Sequence, residues 1–251
     1  MPLWVQAGLW GLLSGGALVV GAAIAWLVDL PRTVVASVMA FGAGVLISAL
    51  AFEMVDEAER SAGLVPTVTG LLGGAVAYVA ANVWLARRGA RNRKRSGDDM
   101  QPSEADLQGS GTAIAVGALL DGVPESVVLG LSLVDGGGVA VPVLAAIVVS
   151  NLPEGLSSAA GMRRSGRSAT YVFGVWGGIA VASGIAGALG CLLLQGASAA
   201  TVATITAVAA GAILAMVADT MIPEAFERTH LYAGLLASLG FVASFTLSRA
   251  G

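Results

Sequence analysis

The chain has 251 residues, 56% hydrophobic and 12% charged, with a net charge of −3 and a mean hydropathy of +0.84. A soluble domain of this length needs far more charge to cover its surface, so composition excludes that class. A single cysteine, Cys191, excludes an internal disulfide framework and a Cys-based zinc cage.

Taken in chain order, apolar runs predict an all-α polytopic membrane protein with eight transmembrane helices. They fall at 3–27, 33–56, 66–86, 112–134, 139–162, 170–195, 199–222 and 231–249 of a single domain, 1–251. The opening MPLWVQAGLW has no positive n-region and no cleavage site, so it reads as a first span and not a signal peptide. Asp29-Leu30-Pro31-Arg32, Asp135-Gly136-Gly137-Gly138 and Gln195-Gly196 supply tight turns. Only 87–111 reads as a true loop, flexible and disordered. It is basic at first, then acidic through Asp98, Asp99, Glu104 and Asp106. With an even number of spans, eleven of the thirteen Lys and Arg residues fall on one side, and only Arg60 and Arg249 on the other. The positive-inside rule then puts both termini outside and the long loop in the cytoplasm. That rule accounts for the basic run with no nucleic-acid partner; membrane lipid is the partner expected. Small residues at helical spacing, as in Gly70-x-x-x-Gly74 and Gly174-x-x-Gly177-Gly178, are expected to let helix backbones approach closely.

Ionisable groups inside a bilayer are costly and usually functional. In the fourth span, Asp121-Gly122-Val123-Pro124-Glu125-Ser126 places two carboxylates at i and i+4 on one helix face. In the fifth, Ser150-Asn151-Leu152-Pro153-Glu154-Gly155 repeats the Pro-Glu-small ending. Each proline frees a carbonyl on the preceding turn, and paired, proline-interrupted segments point to a transporter's midplane site. At about 1.5 Å per residue, Asp121 and Glu154 lie roughly 14 and 12 Å from the cytoplasmic ends of their helices. Glu125 and Ser150 lie at about 20 and 18 Å. Two rungs are therefore expected, Asp121 with Glu154, and Glu125 with Ser150 or Asn151. No Lys or Arg lies in these spans at that depth, so a metal cation is the simplest counterion. The alternative is a transport-inactive protein whose protonated carboxylates hydrogen-bond the helices together. Asp219, near the cytoplasmic end of the seventh span, and Glu53, Asp56 and Glu57, at the outer end of the second, read equally as exit and entrance stations for a cation or as ordinary interfacial charges, the latter favoured for Glu57. His230 sits in a loop without a role.

At these residues the chain resembles the ZIP (Zrt- and Irt-like) family of metal-ion transporters. The likeness covers eight spans, outside termini, a long loop after the third span, and the Pro-Glu motifs of the fourth and fifth. Phe41-Gly42-Ala43-Gly44 and Ile222-Pro223-Glu224-Ala225 also fit its pattern. The resemblance implies a homodimer in the cell membrane, a two-metal site between the fourth and fifth helices, and uptake towards the cytoplasm by movement of one helix bundle against another. Where the family usually has histidines, this chain has Asp121 with Gly122, Ser150 with Asn151, and Asp219 with Thr220. No acid matches a sixth-span ligand found in some relatives.

The expected metal ligands are Asp121, Glu125, Ser150, Asn151, Glu154 and Asp219. As oxygen donors they suit manganese, magnesium or ferrous iron better than a histidine site does, with zinc still accepted. The metal ion is cargo, with no organic cofactor. No histidine metal motif or nucleophile arrangement lies at the midplane, so an enzyme is not expected.

Overall fold

A computed structural model describes residues 1–94, 101–103, 105–134 and 139–250, all-helical with no strand among them. The turn expected at 135–138 lies outside the described residues, as do Arg95, Asp98, Asp99 and Glu104. The helices are α1 (Leu3–Leu27), α2 (Arg32–Ala49), α3 (Asp56–Ala62), α4 (Leu64–Leu85) and α5 (Ser110–Leu131). They continue as α6 (Val141–Arg164), α7 (Ala169–Leu194), α8 (Ala199–Met216), α9 (Ile222–Thr229) and α10 (Tyr232–Ala250). One-turn π segments at Leu50–Val55 and Val217–Met221 join α2 to α3 and α8 to α9, and a third, Ala86–Ala90, extends α4. The second and seventh expected spans are thus parts of longer rods, Arg32–Ala62 and Ala199–Thr229. Seven rods are long and apolar enough to cross a membrane; α10, with 19 residues, is the remaining long apolar helix among the described residues.

Local chemistry explains the boundaries. Pro2 and Pro31 precede α1 and α2, and Pro142 occupies the first turn of α6, where a missing N–H costs nothing. The Ser168 and Ser198 side chains cap α7 and α8 by accepting from the Tyr171 and Thr201 amides.

Packing places α1 against α6 and α7, α2 against α6 and α10, α4 against α8, and α5 against α7 and α8. The rods containing α2 and α6 are the most enclosed and that of α4 the least. α4 turns Leu64, Val65, Val68, Leu72 and Val76 outward, as a helix solvated by lipid does.

The α1–α6 contact is backbone to backbone. A Cβ on Gly155, the residue ending the fifth-span motif, would collide with the Leu18 carbonyl, and one on Gly21 with the Leu152 carbonyl. Gly70 and Gly74 play the expected role against α8, whereas Gly174, Gly177 and Gly178 have open space around them within the chain. Gly155→Ala is therefore expected to lower stability by about 1–3 kcal/mol, because a carbonyl of a packed helix cannot swing aside. Gly174→Ala should be neutral or slightly stabilising. Thermal unfolding of both in detergent checks this; equal behaviour would refute the close-packing argument.

Candidate functional site: a buried charge centre

Helical periodicity puts Asp121 and Glu125 on one face of α5, and both side chains are about 1% exposed. Asn151 and Glu154 of α6 are buried as well, as is Ser150. Counted along the observed helices, Asp121 lies about 16 Å from the start of α5 and Glu154 about 15 Å from the end of α6, so the two share a depth.

The cations facing them come from outside the spans. Gly89 takes φ +99°, a left-handed conformation that costs glycine little, and breaks the helix there. The chain after it turns inward, and Arg93 and Lys94 are buried at 1% and 3% exposure. The Arg93 guanidinium donates from Nε to Asp121 Oδ2 (2.9 Å) and from Nη2 to Asp121 Oδ1 (2.8 Å), a two-pronged ion pair. Tyr78 of α4 donates to Asp121 Oδ1 (2.7 Å) and accepts from Arg93 Nη2 (2.8 Å). Lys94 Nζ lies 2.9 Å from Glu154 Oε1 and 3.4 Å from Asp121 Oδ2, linking the two acids. The inference that no base reaches this depth is therefore corrected: none does along the spans, but two do through space. Tyr78 and Asn82, an i, i+4 polar pair in an apolar helix, were the sequence signal that something polar docks here. So was Lys94, the only lysine in the chain.

The segment is held along its length. Ser157 Oγ of α6 donates to the Lys94 carbonyl (2.6 Å). Gln101 Nε2 donates to the Arg93 carbonyl (2.9 Å) and the Ser158 carbonyl (3.1 Å). Gly117, one turn before Asp121, supplies the groove for Arg93: a Cβ there would stand 2.6 Å from Arg93 Cδ. α5 and α6 consequently touch each other only sparingly. Where 87–111 reads as a flexible loop, its described residues thus include Arg93, Lys94 and Gln101, all buried. The acidic residue described there, Asp106, accepts the Ser103 hydroxyl (2.6 Å) and amide (3.0 Å), which hold its carboxyl below its ordinary range.

The other expected ligands are distributed unevenly. Asp219 is exposed in the π segment Val217–Met221 and accepts from Asn82 Nδ2 at 3.3 Å; Asn82 Oδ1 in turn accepts from Arg93 Nη1 at 2.7 Å. Among the described residues it therefore meets the centre through Asn82. The second rung does not form through the expected partners: Ser150 donates to the Ile147 carbonyl and Asn151 to the Ser14 carbonyl of α1. Glu125 is left with Oε1 buried and without a hydrogen bond. Glu224 of α9, not among the expected ligands, is buried beside the centre and shares Ser157 Oγ (2.9 Å) with the Lys94 carbonyl. Among the described residues, no group of three or more His, Cys, Asp and Glu side chains is placed to hold a metal ion.

Beyond Glu125 along α5 opens a depression of about 240 Å³, lined by Val128, Leu131 and Ser132 together with Glu53 and Glu57. Glu53 accepts from Ser248 of α10, and Asp56 pairs with Arg60 at the surface. Neither a family model nor a curated protein matches this sequence.

Proposed function

We propose that the chain is a divalent-cation transporter of the ZIP kind, with its path running from the Glu53 and Glu57 depression past Glu125 to Glu154 and Asp121. The observation that supports it best is the imbalance of the buried centre. Among the described residues, Asp121, Glu125 and Glu154 contribute three carboxylates to it, while Arg93 and Lys94 contribute two cations. A centre built only for stability has no use for a surplus buried acid without a partner, since such a group costs free energy. The charge bias of the loops supports outside termini, and the resemblance supports uptake towards the cytoplasm and a homodimer in the cell membrane. With oxygen donors alone, discrimination among ions is weak, so manganese and magnesium are accepted alongside zinc.

A second reading is favoured by one observation, the two-pronged Arg93–Asp121 pair completed by Tyr78. Such a closed network is also what a transport-inactive helix bundle would use to neutralise its acids. Uptake by the purified protein in proteoliposomes, tested with manganese, magnesium, ferrous iron and zinc, separates the two. Accumulation of at least one ion above protein-free vesicles is expected. Uptake of none would leave the inactive reading standing.

A further inference from the structure

We infer that Arg93 and Lys94 are tethered counter-charges, displaced from the carboxylate centre when a divalent cation enters it. The inference rests on the reading of that centre as a cation path, and deepens it by naming what the cation exchanges with.

Position is the first support. Lys94 Nζ sits between Glu154 Oε1 and Asp121 Oδ2, at 2.9 and 3.4 Å. A divalent metal bound to those oxygens at about 2.0–2.6 Å would need the same place. Ammonium and metal are therefore mutually exclusive.

Charge is the second. Removing both bases alone would leave Asp121 and Glu154 buried without partners, at several kcal/mol per ion. Exchanging them for one divalent ion keeps the local charge unchanged, because two positive charges leave as two arrive. A monovalent ion cannot make that exchange, which sets the valence of the cargo from the protein's own side chains.

The attachment of the two residues is the third. They belong to neither α5 nor α6, and the chain reaches them through the break at Gly89. Their hold on the centre consists of side-chain ion pairs and hydrogen bonds to Ser157 and Gln101. No covalent or helical continuity has to be broken for them to leave. Glu125, whose Oε1 is buried without a hydrogen bond, is placed to receive the ion as Lys94 gives way.

The native chain can report this directly, because Lys94 is its only lysine. The full-length protein in nanodiscs is treated with an amine-reactive ester with and without manganese(II). Modification at Lys94 and at the exposed terminal amine of Met1 is then read by peptide mass spectrometry, with manganese binding measured in parallel by calorimetry. Without metal, Lys94 should react about tenfold or more slowly than the terminal amine, as a group protected by burial does. Saturating manganese should raise Lys94 modification by about tenfold, with the terminal amine unchanged. Gly117→Leu, which fills the Arg93 groove, should make Lys94 reactive without metal and tighten manganese binding.

Manganese binding with unchanged Lys94 modification would overturn the exchange while leaving the cation site standing. Absence of binding in both wild type and Gly117→Leu would overturn the cation reading and this inference together. Lys94 as reactive as the terminal amine without metal would overturn the inference by showing that the ammonium does not occupy the centre.

Discussion

Replacing Glu125 by Gln is expected to abolish cation uptake while leaving the melting temperature in metal-free detergent unchanged or slightly raised. Glu125 is buried and its Oε1 accepts no hydrogen bond, so no hydrogen bond at that oxygen offsets the cost of burying its charge. Glutamine has nearly the same shape and avoids the cost of burying a charge. Transport is affected differently, because the neutral amide is a poor partner for a divalent ion travelling from the outer depression towards Glu154. A fall of about 100-fold or more in initial rate is expected, since even indirect partners of a metal site are worth 10–100-fold. Proteoliposome uptake and thermal unfolding on the same preparation separate the two effects. A variant that still transports at the wild-type rate would remove Glu125 from the path. Loss of both transport and stability would assign it a structural role instead.

Arg93→Ala should be the most destabilising single change in the centre. It removes both prongs on Asp121, one partner of Tyr78 and the bond to Asn82. Breaking a buried ion pair by deleting one partner costs about 3–5 kcal/mol, mostly because the other charge is stranded. Lys94, 3.4 Å from Asp121 Oδ2, compensates only in part, since it already serves Glu154. Adding Asp121→Asn to Arg93→Ala should recover much of the loss, because the stranded charge is then gone. Manganese should stabilise the Arg93→Ala protein more than wild type, for it enters a centre that now lacks a counter-charge. Unfolding midpoints of the two single variants, the double variant and wild type, each with and without manganese, give the cycle. An Arg93→Ala protein as stable as wild type would mean that the pair contributes nothing.

Much of the architecture was legible because its causes are local. Apolar run length gave the long helices, and the turn at Asp29-Leu30-Pro31-Arg32 marked the start of α2. The expected spans ended at 56 and 222 because charged residues gather there, Asp56 and Glu57 in one case and Glu224 in the other. The helices run on through those charges as α3 and α9. Helix continuation depends on backbone geometry and capping, not on whether a residue belongs in lipid. The pairing of Ser150 and Asn151 with Glu125 failed for a related reason. Depth alone cannot tell which way a side chain bonds, and Ser150 turned to its own helix while Asn151 turned to α1.

By itself the sequence determined which residues share a helix face, how deep they lie, and that acids outnumber bases within the spans. Those are consequences of a fixed rise and turn per residue, set by neighbours in the chain. Only the tertiary structure decided what neutralises the acids. Arg93 lies 28 positions from Asp121, and in a linear count of charges both bases belong to the loop. Ion pairing acts through space and is strengthened where water is excluded. Once the chain breaks at Gly89 and Gly117 leaves a groove on α5, two loop residues therefore become the counterions of the core.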